Sequence, residues 1–238
     1  MLTKQLVKVR RRFNESNVLF QSDKPEAIDA AIHAIVYHRL ELETYIRFHP
    51  NYAETLQPLE VDPVAPLIVR KMAEAAARAD VGPMAAVAGA LADEAVDAMI
   101  RAGSKVSIVE DGGEVSADSE EAFTVALNAG RNALGRGIGF SIEPSDCPIG
   151  IATSSATVSH ALSFGEADAA TVFAEDAAHA DAAATAVCNA VVGEDVVRSI
   201  ELGLEAVKRL SHLRGALIVR GDHIGSVGWI PQIVGVEE

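Results

Sequence analysis

Three observations predict an α+β fold. Short apolar segments are joined by tight turn residues, as in hairpins; helical apolar stripes alternate with them; and the segments after Pro83 and after Asp176 are rich in alanine, the strongest helix former. At 238 residues the chain can bury a full core, and one large domain or two intimately packed lobes both fit that length.

Taken in order, residues 5–22 read as two strands around Asn14-Glu15-Ser16-Asn17, with Val7, Val9, Val18 and Phe20 inward. Arg10, Arg11 and Arg12 read as a solvated strand end rather than a phosphate clamp. Pro25 suits the first position of a helix to about Phe48, whose stripe is Ile28, Ile32, Ile35, Val36, Leu42 and Ile46. His33, His38 and His49 stand at spacings that do not make a metal pair. Four prolines between 50 and 66 mark a connector and the softest internal boundary. Helices follow over about Leu67 to Ala79 and from Pro83 to near Gly103, where Met84, Val87, Leu91, Ala95 and Ala98 form one apolar face and the amides after Gly82 offer an anion site.

Val106 to Val115 reads as strand, Asp111-Gly112-Gly113 turn and strand, the glycines permitting the positive φ that a tight hairpin needs. From Ala122 to Phe140 an alternating segment enters a glycine-rich stretch with Arg131 and Arg136; it lacks the Lys-Ser/Thr ending of a phosphate loop. Asp195 to Leu210 forms a helix, Ala216 to Arg220 a buried strand, and Ser226 to Val234 a closing strand bearing Trp229.

The stretch from Cys147 to Asn189 carries the chemistry. It holds a strand at Ile149 to Ala152, the hydroxyl run Thr153, Ser154, Ser155, Thr157, Ser159 and His160, a strand at Ala169 to Ala174, and an alanine-rich helix with Asp176 as N-cap. Asp181 and Thr185, four residues apart, share a helix face. By composition alone the commoner fate of such residues is solvated helix surface and turn capping. As a functional set, a carboxylate beside a hydroxyl suits a hard cation such as Mg²⁺, and the hydroxyl run suits phosphate. Neither Ser154 nor Ser155 sits in a Gly-x-Ser-x-Gly elbow, so a hydrolase nucleophile is disfavoured. Cys147 could be a reactive thiol, but a buried free cysteine is the commoner fate.

Ala152 to His160, Ala169 to Ala174 and Ala180 to Ala186 together resemble the C-terminal signature of the ApbE-like superfamily, the FAD:protein FMN transferases, and more closely a compact, poorly characterised branch of it. The resemblance implies a single domain over 1–238, with 1–66 as hairpin, helix and connector and 67–238 as core with the ligand cleft. It also implies an ApbE-like, mostly antiparallel α+β fold. Carried over residue by residue, it puts Asp181 and Thr185 at Mg²⁺, Asp181 and His160 in catalysis, and Thr153, Ser154, Ser155 and Thr157 at the phosphates of FAD or a related nucleotide. Gly112 and Gly113 stand in the family's Gly-Gly-Asp block, with Glu114 in place of the aspartate, and would line the cleft. Two departures matter. No lysine lies between Val81 and Arg101, where flavin-transferring relatives have one, and the Asp-Pro that follows the family's histidine is missing. A smaller nucleotide therefore stays open, as does a non-catalytic binding or assembly role in sulfur assimilation (homocysteine formation).

Composition bounds the partners. A net charge of −14 argues against nucleic acid and anionic membrane surfaces, and no apolar run reaches the ~18 residues of a membrane span. The first residues lack the apolar core of a secretory signal, and two cysteines make no disulfide framework, so a cytoplasmic protein is expected. A small-molecule flavin or nucleotide, a protein substrate and self-association into a homo-oligomer complete the expectation.

Overall fold

The computed structural model describes residues 6–14, 16–127, 137–156 and 164–236. Among these, one sheet has strand order β1-β2-β3-β4-β7-β8-β9-β10, every neighbour antiparallel. Its strands are β1 (Val7–Phe13), β2 (Ser16–Ser22), β3 (Val106–Asp111), β4 (Glu114–Ser119), β7 (Ile149–Ser154), β8 (Ala169–Ala174), β9 (Gly215–Arg220) and β10 (His223–Gly228). A smaller antiparallel sheet joins β11 (Gln232–Gly235), β6 (Ile138–Ile142) and β5 (Phe123–Ala126).

Alternation along the strands assigns the two faces of the large sheet. Ile108, Val115, Ile151 and Phe173 meet Phe140 and Ile142 of the small sheet. The opposite face carries the helices α1 (Pro25–Phe48), α4 (Val87–Arg101), α5 (Ala177–Ala190) and α6 (Val196–Arg209). There Val18, Phe20 and Val109 pack on Ile28, Ile35 and Met99, and Val172 and Ile218 on Ala183, Val187 and Ile200. A short α2 (Asn51–Glu54) and α3 (Leu67–Ala79) lie outside, α3 packing on α5; Tyr52 of α2 is fully buried and donates to the Val69 carbonyl at 2.8 Å.

Small residues set the depth of this packing. A Cβ on Gly89 of α4 would stand 2.2 Å from the Ala177 carbonyl oxygen of α5, and one on Gly150 of β7 would stand 2.0 Å from Asp176 backbone atoms. Glycine at both positions lets α5 lie directly on α4 and on the sheet. The helix α4 ends on Gly103, φ +80°, with Ser104 and Gly103 amides returning to the Met99 and Ile100 carbonyls, the double bond pattern of a helix stop.

Three expectations are corrected. Val36 is 52% exposed, on the outer side of α1, and the buried stripe runs instead through Ala27, Ile28, Ala31, Ile35, His38 and Leu42. Pro83 opens a 3₁₀ turn, Pro83–Ala86, and the α-helix begins only at Val87. The single closing strand from 226 to 234 is two strands in different sheets, because Gly228 turns at φ +75° and the Trp229 amide bonds back to the Arg214 carbonyl.

Gly150→Ala should lower stability by about 1–3 kcal/mol or more, since the new methyl meets backbone that cannot rotate away. Urea unfolding of the variant against wild type reads this directly.

Candidate functional site

The site starts from an exchange of caps between two helices. Asp93 of α4 accepts hydrogen bonds from the Ala177 and Ala178 amides, the first turn of α5, at 2.9 and 3.0 Å, and from the Ser116 hydroxyl at 2.7 Å. In return, Asp181 of α5 accepts from the Gly89 amide in the first turn of α4 at 3.0 Å, with the Ala88 amide also contributing. Helix starts leave these amides without partners within the helix, and a carboxylate satisfies them while matching the positive end of the dipole. Asp176 caps α5 locally, accepting from the His179 amide at 2.9 Å, as its sequence predicts. The amides that Asp181 takes belong to Ala88 and Gly89, not to the turn right after Gly82 where an anion site was expected; there Pro83 has no N–H and the Ala85 amide donates to the Gly82 carbonyl.

The β3–β4 hairpin closes the site. Asp111 pairs with Glu114 across the Gly112-Gly113 turn, where φ is +72° and +131°. Both acids stand on the face of the sheet that carries Val109 and Ser116, the helical face. Burial pushes the Asp181 carboxyl up to about 7, the donated amides opposing and the nearby Asp111 and Asp93 adding to the rise. Burial raises Glu114 well above the usual carboxylate range, with Asp181 and then Asp111 reinforcing it. Asp93 rises to about 6, again through burial first, with Lys71 pulling the other way. Carboxylates are concentrated here, with Lys71 acting on Asp93 and Arg39 lining the same cavity as Asp111.

The other expected residues fall in several places. Gly150 lies under the start of α5, and β7 and α5 run in the same direction from there. Ser154, four residues on, is about 13 Å along the strand, and Thr185, eight residues past Ala177, is about 12 Å along the helix. They stand at a similar height, beyond Asp181. Ser154 and Ser155 are buried, Thr185 half-buried. Thr153 points the other way: its hydroxyl is 2.9 Å from that of Thr171 on the small-sheet side, because strand alternation sends neighbours to opposite faces. Gly113 lines a cavity of about 220 Å³ with Glu110 and Val115, and Gly112 is exposed at the turn. Thr157, His160, Arg131 and Arg136 lie outside the described residues.

A cavity of about 310 Å³ has a wall that includes Ala88, whose amide contributes to Asp181, with Val87, Met84, Asp111, Leu42 and Arg39, but not Asp181 itself. It opens toward α1 rather than over the hydroxyl run. Sequence reasoning missed Asp93, Asp111 and Arg39. The consecutive acids Asp93 and Glu94, both buried inside an otherwise apolar helix, were the available signal. Glu94 is held by Lys71 at 2.7 Å and stands 3.4 Å from His38 Nε2.

The acids nearest Asp181 are carboxylates, Asp111 and Asp93, a ligand type that suits Mg²⁺ rather than a thiophilic ion. Among the described residues no three His, Cys, Asp or Glu side chains gather into a ligand set. A hard cation here would use one or two carboxylates, a hydroxyl, water and ligand phosphate, the usual way Mg²⁺ is held.

The family model described as "AbpE bacteria" matches residues 2–218. A UPF0280 protein of Methanosarcina acetivorans is 39% identical over 232 residues, 97% of this chain and 90% of that one. Another, from Methanococcus maripaludis strain C5, is 41% identical over 222 residues, 92% and 90%. The apo crystal structure of Pseudomonas stutzeri flavinyl transferase ApbE superposes with TM-score 0.57 at 14% identity, covering 95% of this chain and 97% of that one. The ApbE protein of Thermotoga maritima gives 0.55 at 14%, over 98% and 97%. The fold is therefore the one these proteins share. No helix among the described residues is long and apolar enough to cross a membrane.

The raised carboxyls fix a sign. A carboxyl whose folded pKa exceeds its unfolded value holds a proton in the fold that it loses on unfolding, so its contribution falls as pH rises from about 4 through about 7. Asp181→Asn keeps an acceptor for Gly89 and removes the charge. Its stability relative to wild type should therefore grow in the variant's favour between pH 5 and pH 8, read by urea unfolding at each pH; a constant difference would refute the assigned shift.

Proposed function

The chain belongs to the AbpE bacteria family, in company with the UPF0280 proteins, and from that premise we propose that it binds Mg²⁺ and a flavin- or pyrophosphate-containing nucleotide and acts as a flavin- or phosphoryl-type transferase. One observation carries this reading: the Asp181 carboxylate, pinned by the first-turn amides of α4, is desolvated near Asp111 and Glu114.

Asp181 and Thr185 would hold the ion, which supplies Lewis-acid neutralisation of charge on the leaving phosphate. The raised proton affinity of Asp181 and Glu114 makes occupation depend on pH. The apolar part of the 310 Å³ cavity, Leu42, Met84 and Val87, accepts a ring, and its volume is near the lower limit of small-molecule sites. That size favours one end of a dinucleotide, or a smaller nucleotide, inside the recess. Ser154 and Ser155 are assigned to phosphate oxygens, with Thr157 and His160 beside them by family resemblance. Thr153 has a weaker claim, its hydroxyl being engaged with Thr171, and Gly112 and Gly113 are assigned the rim. A hydroxyl of a protein target attacks one phosphorus, and the other phosphate departs with the bridging oxygen and its electron pair.

Mg²⁺ with FAD, FMN or ADP should raise the melting temperature of wild type. At a ligand concentration of 100 Kd the gain is about 2.7 kcal/mol, roughly 5–10 °C for a chain of this size. The Mg²⁺-dependent part should be larger at pH 8 than at pH 6, because the ion competes with a proton on Asp181. It should vanish in Asp181→Asn and shrink in Thr185→Val. Indifference of the wild type to every nucleotide with Mg²⁺ would overturn the transferase reading and favour a binding or assembly role.

A further inference from the structure

A second cluster of ligating groups lies on the other side of α5. His179, two residues before Asp181, projects from a different side of the helix, about 200° around. Its Nδ1 is 2.8 Å from both carboxylate oxygens of Asp176. A carboxylate partner fixes the proton on Nδ1 and leaves Nε2 with a bare lone pair, the arrangement in which an outer carboxylate orients a metal-binding imidazole. That Nε2 is buried and has no hydrogen-bond partner. The same is true of Nε2 of His212, in the turn after α6. The two rings meet edge-on, with centroids 5.1 Å apart and planes at 61°. Two imidazoles on one tetrahedral ion, at nitrogen distances of about 2.0–2.1 Å, have centroids about 5 Å apart.

We propose that His179 and His212 form a site for a divalent transition-metal ion of the Zn²⁺, Ni²⁺ or Co²⁺ class, oriented by Asp176 and separate from the Asp181 site. Two buried nitrogens without a protein partner, on rings at this separation, give a shared ion two ligands at once. No third His, Cys, Asp or Glu joins them among the described residues, so water completes the shell. Arg78 of α3 also faces His212, and its charge is offset by Glu74 at 2.9 Å and by Asp176. These groups make the site an imidazole one that selects against Mg²⁺, which prefers oxygen ligands.

Calorimetric titration of the chelator-treated full chain with Ni²⁺, Zn²⁺ and Mg²⁺ tests this. The expected result is one Ni²⁺ or Zn²⁺ per chain at pH 7.5, with no effect of Mg²⁺ on that uptake. His179→Ala and His212→Gln should each abolish it, Asp176→Asn should weaken it by about 10–100-fold, and exposed His223→Ala should leave it intact. Persistence in Asp181→Asn separates this site from the one in the transferase reading. Because a histidine variant can lose its fold, Co²⁺ absorption of the wild type supplies an independent readout of imidazole ligation. Absence of uptake by the wild type, or uptake that survives His212→Gln in a folded variant, would reduce the pair to buried structural histidines with an adventitious ion only.

Discussion

The reciprocal capping of α4 and α5 governs both the packing of the helical layer and the chemistry of the site. Asp93 satisfies the start of α5 and Asp181 the start of α4, across sequence separations of 84 and 92 residues. Hydrogen bonds to a charged group are worth about 1.5–3 kcal/mol each, and amides left without a partner in a buried helix start cost a similar amount. The exchange works only if the two helices touch, which is why Gly89 faces the Ala177 carbonyl where any side chain would collide. Alanine along α5 extends the same logic toward the sheet. Close approach, capping and the small-residue composition are one constraint.

That constraint also creates the site. A carboxylate used as an inter-helix cap has to be inside the protein, and one inside the protein is desolvated. Burial raises the proton affinity of Asp181, and Asp111, brought up by the β3–β4 hairpin, adds to the rise. A protein that needed Asp181 only for the cap would gain nothing from placing two further acids near it. Under the proposed function, a divalent cation would turn that repulsion into attraction, and the recess with Arg39 and apolar walls would take the nucleotide. Perturbed carboxyls beside a cavity are a recurring mark of functional sites.

Much of the fold was legible because its signals are local. Pro25 and the apolar stripe mark α1, Gly103 stops α4, Asp176 caps α5, and the continuous apolar run at 169–174 is a strand buried on both faces. The site was only half legible. The spacing of Asp181 and Thr185 shows that they share a face but not what the face meets, and the acceptor for the first amides of α4 lies 92 residues away. The same remoteness hid the late start of α4 at Val87. Thr153 and Ser154 looked like one hydroxyl run, yet alternation of side chains divides them between two faces of a sheet. The break at Gly228 was hidden inside a stretch that alternates well enough to pass for one strand.

The most direct test of the central claim is a carbon-13 NMR titration of the aspartate side-chain carboxyls, assigned with Asp181→Asn, in the absence and presence of Mg²⁺. This account predicts that Asp181 titrates near 7 in the free protein and well below that once Mg²⁺ is added. Titration in the ordinary carboxylate range, unmoved by the ion, would contradict it and leave Asp181 as a helix cap alone.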